Sequence, residues 1–193
     1  FHHPDGGYWQ REAAEVLIAE GQELKWKTVY HMLDESKAPI LKETQTWTFK
    51  EKDKKYLLTL EWQGEALIDL TINQFDYGGL FLRMPWKQGN KGEVINAARQ
   101  KNEKADGQRA MWVDVGMEIK GLDHWGHIAI FDHKDNKDYP QPWRVDGQLG
   151  VGPVPARLGD WHIKKGETKI FQHQIVAYSG ELDDMVLDDL RGD

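Results

Sequence analysis

From Trp112 to Lys120 the chain alternates one for one: Val113, Val115, Met117 and Ile119 are apolar, and Asp114, Gly116, Glu118 and Lys120 stand between them. A period of two marks a half-buried strand, because successive side chains leave a strand on opposite faces. A turn at Gly121-Leu122-Asp123 leads into Gly126 to Phe131, which is apolar enough on both parities to predict a buried strand. Asp132 to Tyr139 (DHKDNKDY) is too polar and charged for core and is predicted as a loop. Pro140 and Pro142 stiffen its exit, since each fixes its own φ and drives the preceding residue to extended geometry. Polar groups at strand ends, held by rigid neighbours, are where sites usually sit.

The same period recurs along the chain. Phe1 to Trp9 reads as a loop, and Arg11 to Glu20 suits either a helix ending at Gly21 or a strand. From Leu24 onward Leu24, Trp26, Thr28 and Tyr30 alternate with Lys25 and Lys27. Leu41 to Lys50 and Tyr56 to Trp62 look like the next pair, joined by a charged loop, with Ala66 to Asn73 following a turn at Gln63-Gly64. Gly79 to Met84 is a further strand, and Lys87 to Arg109 reads as a long surface insertion with at most a few helical turns. Gly147 to Gly159 reads as turns, Lys165-Gly166 as a hairpin, Lys169 to Tyr178 as the last strand, and Leu182 to Leu190 as a short closing helix. Nine or so alternating strands, with short helices only in insertions, predict an all-β fold, an antiparallel β-sandwich. The 193 residues suffice for a single domain spanning 1–193.

Composition removes several function classes. A net charge of −7 without a basic stripe argues against nucleic acid as a partner. No apolar run approaches the ~20 residues of a membrane helix, so no membrane partner is expected. Without cysteine there is neither a disulfide framework nor a thiolate metal site. There is no G-x-S-x-G, no phosphate-binding glycine loop and no dinucleotide fingerprint, so no cofactor is expected. Nine tryptophans in a chain of this size predict aromatic surface as well as core.

Three sets of residues carry chemistry. His124, His127 and His133, with His2-His3, could make a metal or acid–base cluster; they lack an H-x-H or HExxH spacing, so no metal is expected, but imidazole suits general acid–base work near neutral pH. The carboxylates Asp114, Glu118, Asp132, Asp135 and Asp138 lie on the same strands and loop, and a pair of them could serve a glycosidic bond. DHKDNKD lacks the spacing of a calcium hand. Arg83 and Arg144 each sit beside a tryptophan and a proline, Trp86 and Trp143. A guanidinium fork binds carboxylates or vicinal hydroxyls, and an indole stacks on the C–H face of a sugar. Candidate catalytic residues are therefore His127, His133 and Asp132, and candidate ligand-binding residues Arg83, Trp86, Trp125, Trp143 and Arg144, converging where strand ends meet the 132–143 loop. Trp9 and Trp161 are further candidates, whereas Trp26, Trp47 and Trp62 sit in regular alternation and are expected in the core.

Four words of the sequence, YGGLFLRMPW (Tyr77 to Trp86), WVDVGMEI (Trp112 to Ile119), HIAIFDHKDN (His127 to Asn136) and PQPWRVDGQLGVGP (Pro140 to Pro153), resemble the bacterial family DUF6807, also labelled "methane oxygenase PmoA". The resemblance covers roughly Glu23 to Leu182. It implies a β-sandwich similar to the sugar-binding supersandwich of galactose mutarotases, in bacteria that degrade polysaccharides. The family usually carries His-His-Arg-Gly near its start, whereas here His2-His3 precede Pro4-Asp5. The family domain is also longer at that end, so this chain is expected to be N-terminally incomplete. Methane monooxygenase subunits are membrane-embedded, which does not fit this sequence, so the oxygenase label is set aside. The expectation is a carbohydrate-related protein in an extracytoplasmic setting, periplasmic or secreted, acting on or binding a glycan or sugar derivative. A structural subunit that packs against copies of itself is the alternative, and self-association is compatible with either.

Overall fold

The computed structural model describes residues 8–182 and Leu187. Thirteen strands, all paired antiparallel, fill the described chain, and between residues 8 and 182 helix is confined to 3-10 turns at Asn102–Lys104 and Pro155–Leu158. The first four strands are β1 (Trp9–Glu20), β2 (Glu23–Leu33), β3 (Pro39–Lys52) and β4 (Lys55–Ala66). Short strands β5 (Leu70–Ile72), β6 (Leu82–Arg83) and β7 (Gly92–Asn96) precede the central pair β8 (Trp112–Glu118) and β9 (Trp125–Asp132). The remainder are β10 (Trp143–Val145), β11 (Gly150–Pro153), β12 (Trp161–Ile163) and β13 (Thr168–Gly180).

Eight strands form one sheet in the order β1-β2-β3-β4-β13-β9-β8-β7, accompanied by the small sheets β10-β11-β6 and β12-β5. The long hairpins close tightly: the two residues between Lys52 and Lys55, Asp53 and Lys54, both have positive φ, the geometry that matches the twist of flanking strands. At the β7–β8–β9–β13 end, Val94, Val113, Val115, Met117, Ile130 and Ile175 pack against Trp143, Val145, Leu149 and Val151 of the β10–β11 region. This inner face makes the fold a β-sandwich. The outer face of the same strands carries Ile95, Trp112, Ala129, Phe131 and Val176, covered in part by Leu187. Two covered faces explain why β9 reads as an unbroken apolar run.

The strand pattern differs from the sequence expectation in several places. Residues 11–20 are strand, the exposed edge β1. Gln63-Gly64 is no turn: β4 runs through it to Ala66, because Gly64 makes room for the Trp62 ring lying over it. The stretch 87–109 is not wholly a surface insertion, since β7 buries Val94, Ile95 and Asn96. Its polar residues serve backbone instead: Asn96 Oδ1 accepts from Ala98 and Gln100 N–H, and Asn102 Oδ1 accepts from Val94 N–H. The glycines and prolines of 147–159 include β11 and a 3-10 turn. Lys165-Gly166 turns the chain, but β12 leaves it to pair with β5, so no hairpin forms. Apart from Leu182 and Leu187, the expected closing helix lies outside the described residues.

Candidate functional site

On the outer face, β8 and β9 bring Asp114 and His127 together. His127 Nδ1 lies 2.8 Å from Asp114 Oδ1, and the Tyr178 hydroxyl of β13 donates to the other carboxylate oxygen at 2.8 Å. Asp114 is 1% exposed and His127 8%. The Tyr178 ring stacks on the imidazole at 4.8 Å, and Trp125 flanks it at 6.3 Å. A carboxylate on Nδ1 fixes the ring's tautomer and leaves Nε2 as the nitrogen for proton transfer.

Asp132 points the other way. Strand alternation puts it on the inner face, where it is 3% exposed and accepts from Asn136 Nδ2 and Gln141 N–H, both at 2.7 Å. Asn136 in turn bridges to the Gln172 backbone through both its amide atoms. The 133–142 loop is latched to the sheet by these bonds, and Asp132 is part of the latch. Burial pushes the Asp132 carboxyl up, against the lowering effect of its hydrogen bonds. Beside it, His173 Nδ1 is 3.8 Å from Asp132 Oδ1, beyond hydrogen-bond reach, and burial pushes the imidazole down to about 4. His133 lies past the strand end, where its Nδ1 accepts from Asp135 N–H at 3.3 Å. The structure therefore does not bring His127, His133 and Asp132 together.

The arginine and tryptophan candidates also divide. Arg83 of β6 pairs with Asp146, in the turn between β10 and β11. Burial raises the Asp146 carboxyl, but Arg83 and the N–H groups of Gln148 and Gly150 outweigh it and hold the carboxyl below its ordinary value. Trp86 is half-buried against the core. Trp143 is fully enclosed, with its indole N–H donating to Ala110 O at 2.8 Å, so it presents no face for stacking.

Arg144 alone of that set opens onto a cavity, of about 640 Å³, lined by Gln74, Phe75, Asp76, Asp106, Arg144 and Arg157. Asp106 organises the floor: it accepts from Val145 N–H at 2.8 Å and from Arg144 Nη1 and Arg157 Nη2 at 3.3 Å. Arg157 is fully engaged, with Nε on Asp76 O and Nη1 on Trp143 O. Among the described residues Arg144 donates to Asp106 alone, through Nη1, which leaves most of its fork for a ligand. At the rim Phe75 and Tyr77 meet edge to face at 4.7 Å, and both are more than half exposed. The sequence offered no local signal for Asp106 or Arg157, which lie 38 residues and 13 residues from Arg144 and join it only through the fold. Among the described residues no three His, Asp or Glu side chains converge as metal ligands, and no helix is long and apolar enough to cross a membrane.

DUF6807, a family of unknown function, matches residues 3–191. No curated protein matches the sequence. Among solved structures, a family 36 α-galactosidase of Geobacillus stearothermophilus in complex with raffinose is similar at 9% identity and a TM-score of 0.43, over 90% of this chain and 28% of that one. The galactosidase domain of an α-galactosidase–sucrose kinase is similar at 10% identity and a TM-score of 0.41, over 89% and 28%. A galactose mutarotase related enzyme of Lactobacillus acidophilus shows 8% identity and a TM-score of 0.38, over 86% and 71%. The chain thus spans just over a quarter of the length of the two galactosidase chains.

Proposed function

The chain belongs to DUF6807, and for it we propose a carbohydrate-related role, in which a glycan or sugar derivative docks in the basin beside Arg144. One observation carries the reading: a cavity of ligand size joins an incompletely used guanidinium, carboxylates and an amide to the exposed ring of Phe75. The two arginines and two aspartates in its wall cancel in charge, so the basin suits a neutral, hydroxyl-rich ligand over an anion. Vicinal hydroxyls both donate and accept, which matches an Arg–Asp pair, while the C–H face of a sugar ring covers Phe75. Raffinose and stachyose are the first probes for calorimetric titration. Arg144→Ala should weaken whichever binds by about 1.5–3 kcal/mol, the worth of a charge-assisted hydrogen bond. Unchanged affinity in a folded Arg144→Ala protein would remove the basin from the reading. The Asp114–His127 pair lies on the outer face of the sheet, away from the basin, so it takes no part in this reading.

The assembly reading has its own observation. β1 is an edge strand of 12 residues with Val16, Leu17 and Ile18 exposed, and among the described residues no further strand pairs with its outer edge. Sedimentation of the wild type against Leu17→Lys tests it: a monomer in both refutes self-association through this edge.

A further inference from the structure

A second constellation lies on the inner face of β2, β3 and β4, away from the basin and sharing no residue with it. Trp26 and Trp47 are direct cross-strand partners, and their rings stack at 6.0 Å with only 9° between planes. Trp62 on β4 reclines over Gly64: a Cβ there would meet the ring's Cζ2 at 2.8 Å. Gly64 is the cross-strand partner of Glu43, so the indole is tipped toward that carboxylate. Phe171 continues the aromatic floor at 6.0 Å from Trp62, and Trp161 stacks on it at 5.2 Å. Trp26, Trp47 and Trp62 are each half-buried, not enclosed as the strand alternation predicted.

Glu43 is the unusual member. It is 9% exposed, yet among the described residues no cation lies within ion-pair distance of it. Its partner is a neutral amide, Gln45 Nε2. The amide cannot turn away, because the Trp47 indole N–H donates to Gln45 Oε1 at 3.0 Å and so commits the amide's N–H to Glu43. Opposite Gln45 stands Thr28, whose buried hydroxyl has no hydrogen-bond partner among the described residues. A buried carboxylate without a countercharge and an orphaned hydroxyl both cost stability. An occupant supplying hydroxyl donors would offset the part of that cost that falls on Glu43.

We propose that this face is a second ligand site, taking one neutral pyranose ring whose C–H face lies on the stacked Trp26–Trp47 pair and whose hydroxyls donate to Glu43. A cation is the competing chemistry, since indoles and a carboxylate also attract ammonium groups. The geometry favours the sugar: two nearly parallel, stacked indoles offer a single flat ring face, whereas an ammonium is held by rings set at angles around it. The test uses the whole chain and saturation-transfer NMR with methyl β-glucoside, methyl β-galactoside and methyl β-mannoside, with choline as the cationic probe. At least one pyranoside should receive saturation from the wild type. Its affinity should fall about tenfold or more in Glu43→Gln, which keeps shape and fold but loses the charge-assisted bond. Trp26→Ala should abolish the transfer. Choline binding without any pyranoside, no binding by any probe, or pyranoside affinity unchanged in a folded Glu43→Gln protein would each overturn the site. Raffinose titrated into the same Glu43→Gln protein reads the basin separately, so failure of one site is distinguishable from failure of the other.

Discussion

His127 reaches Asp114 diagonally across β8, since the residue directly opposite His127 is Gly116 and the one opposite Asp114 is Ala129. The diagonal is open only because position 116 has no side chain: a Cβ there would come within 2.7 Å of His127 Nδ1 and 3.1 Å of the Trp125 ring. The glycine that interrupts the apolar–polar alternation of this strand is thus the space in which the imidazole lies. Sequence alternation placed Asp114 on a polar strand face, and the fold turns that face into a closed Asp–His–Tyr unit.

The unit should be sensitive to loss of its centre. Asp114→Ala removes the acceptor used by both His127 and Tyr178, and is expected to cost about 3–5 kcal/mol in urea unfolding, as for breaking a buried pair. Gly116→Ala leaves all three groups present and should cost about 1–3 kcal/mol by overpacking. A Gly116→Ala protein as stable as the wild type would mean that the ring can move aside.

Much of the fold was legible because a period of two survives wherever one face is buried and the other is not, as in 24–30 and 112–118. It failed where side chains serve the backbone: Asn96 and Asn102 made the β7 region look like an insertion, though Val94 and Ile95 are core. Of the candidate residues, Arg144 lines the basin and His127 meets Asp114 on the other face, each in a dense local word. Asp132 was misplaced for a simple reason: its parity within β9 is opposite to that of His127, so the two leave opposite faces. Phe75, Asp106 and Arg157 were out of reach because only tertiary contact makes them neighbours of Arg144.

Trp143 separates core from ligand surface. It is fully buried and its indole N–H is satisfied by Ala110 O, so Trp143→Ala should lower stability by about 3–5 kcal/mol. Chemical denaturation of that variant, alongside raffinose titration under native conditions, checks both halves. A small stability change with a large loss of affinity would return Trp143 to the ligand surface.

Arg83 and Asp146 form an ion pair whose two members are unequal. Arg83 is largely solvated, and Arg83→Ala should cost under about 1 kcal/mol. Asp146 also accepts from Gln148 N–H at 2.9 Å and Gly150 N–H at 2.8 Å, holding the turn that starts β11. Asp146→Ala should therefore cost about 1–3 kcal/mol. Equal effects in thermal unfolding of the two variants would show that the ion pair, and not the turn, dominates.

The pH dependence of stability should carry the signature of His173. Its imidazole is held neutral by burial, with a pKa near 4 in the folded protein against 6.5 for the ordinary side chain. Between those values the unfolded chain binds a proton that the folded protein does not, so this residue makes stability fall as the pH drops from about 6.5 to about 4. The full span corresponds to roughly 3 kcal/mol. Asp132 acts with the opposite sign: its carboxyl is raised by burial, so the folded protein takes up its proton first and gains relative stability as pH falls through that raised value toward 3.8. The two effects have opposite signs, and comparison with a His173 variant that keeps Asp132 separates them. Urea unfolding of the wild type and His173→Gln across that window should give curves that diverge as the pH rises from 4 toward 6.5, with the wild type gaining and the variant lacking that gain. Parallel curves would show that His173 ionises alike in the folded and unfolded chains.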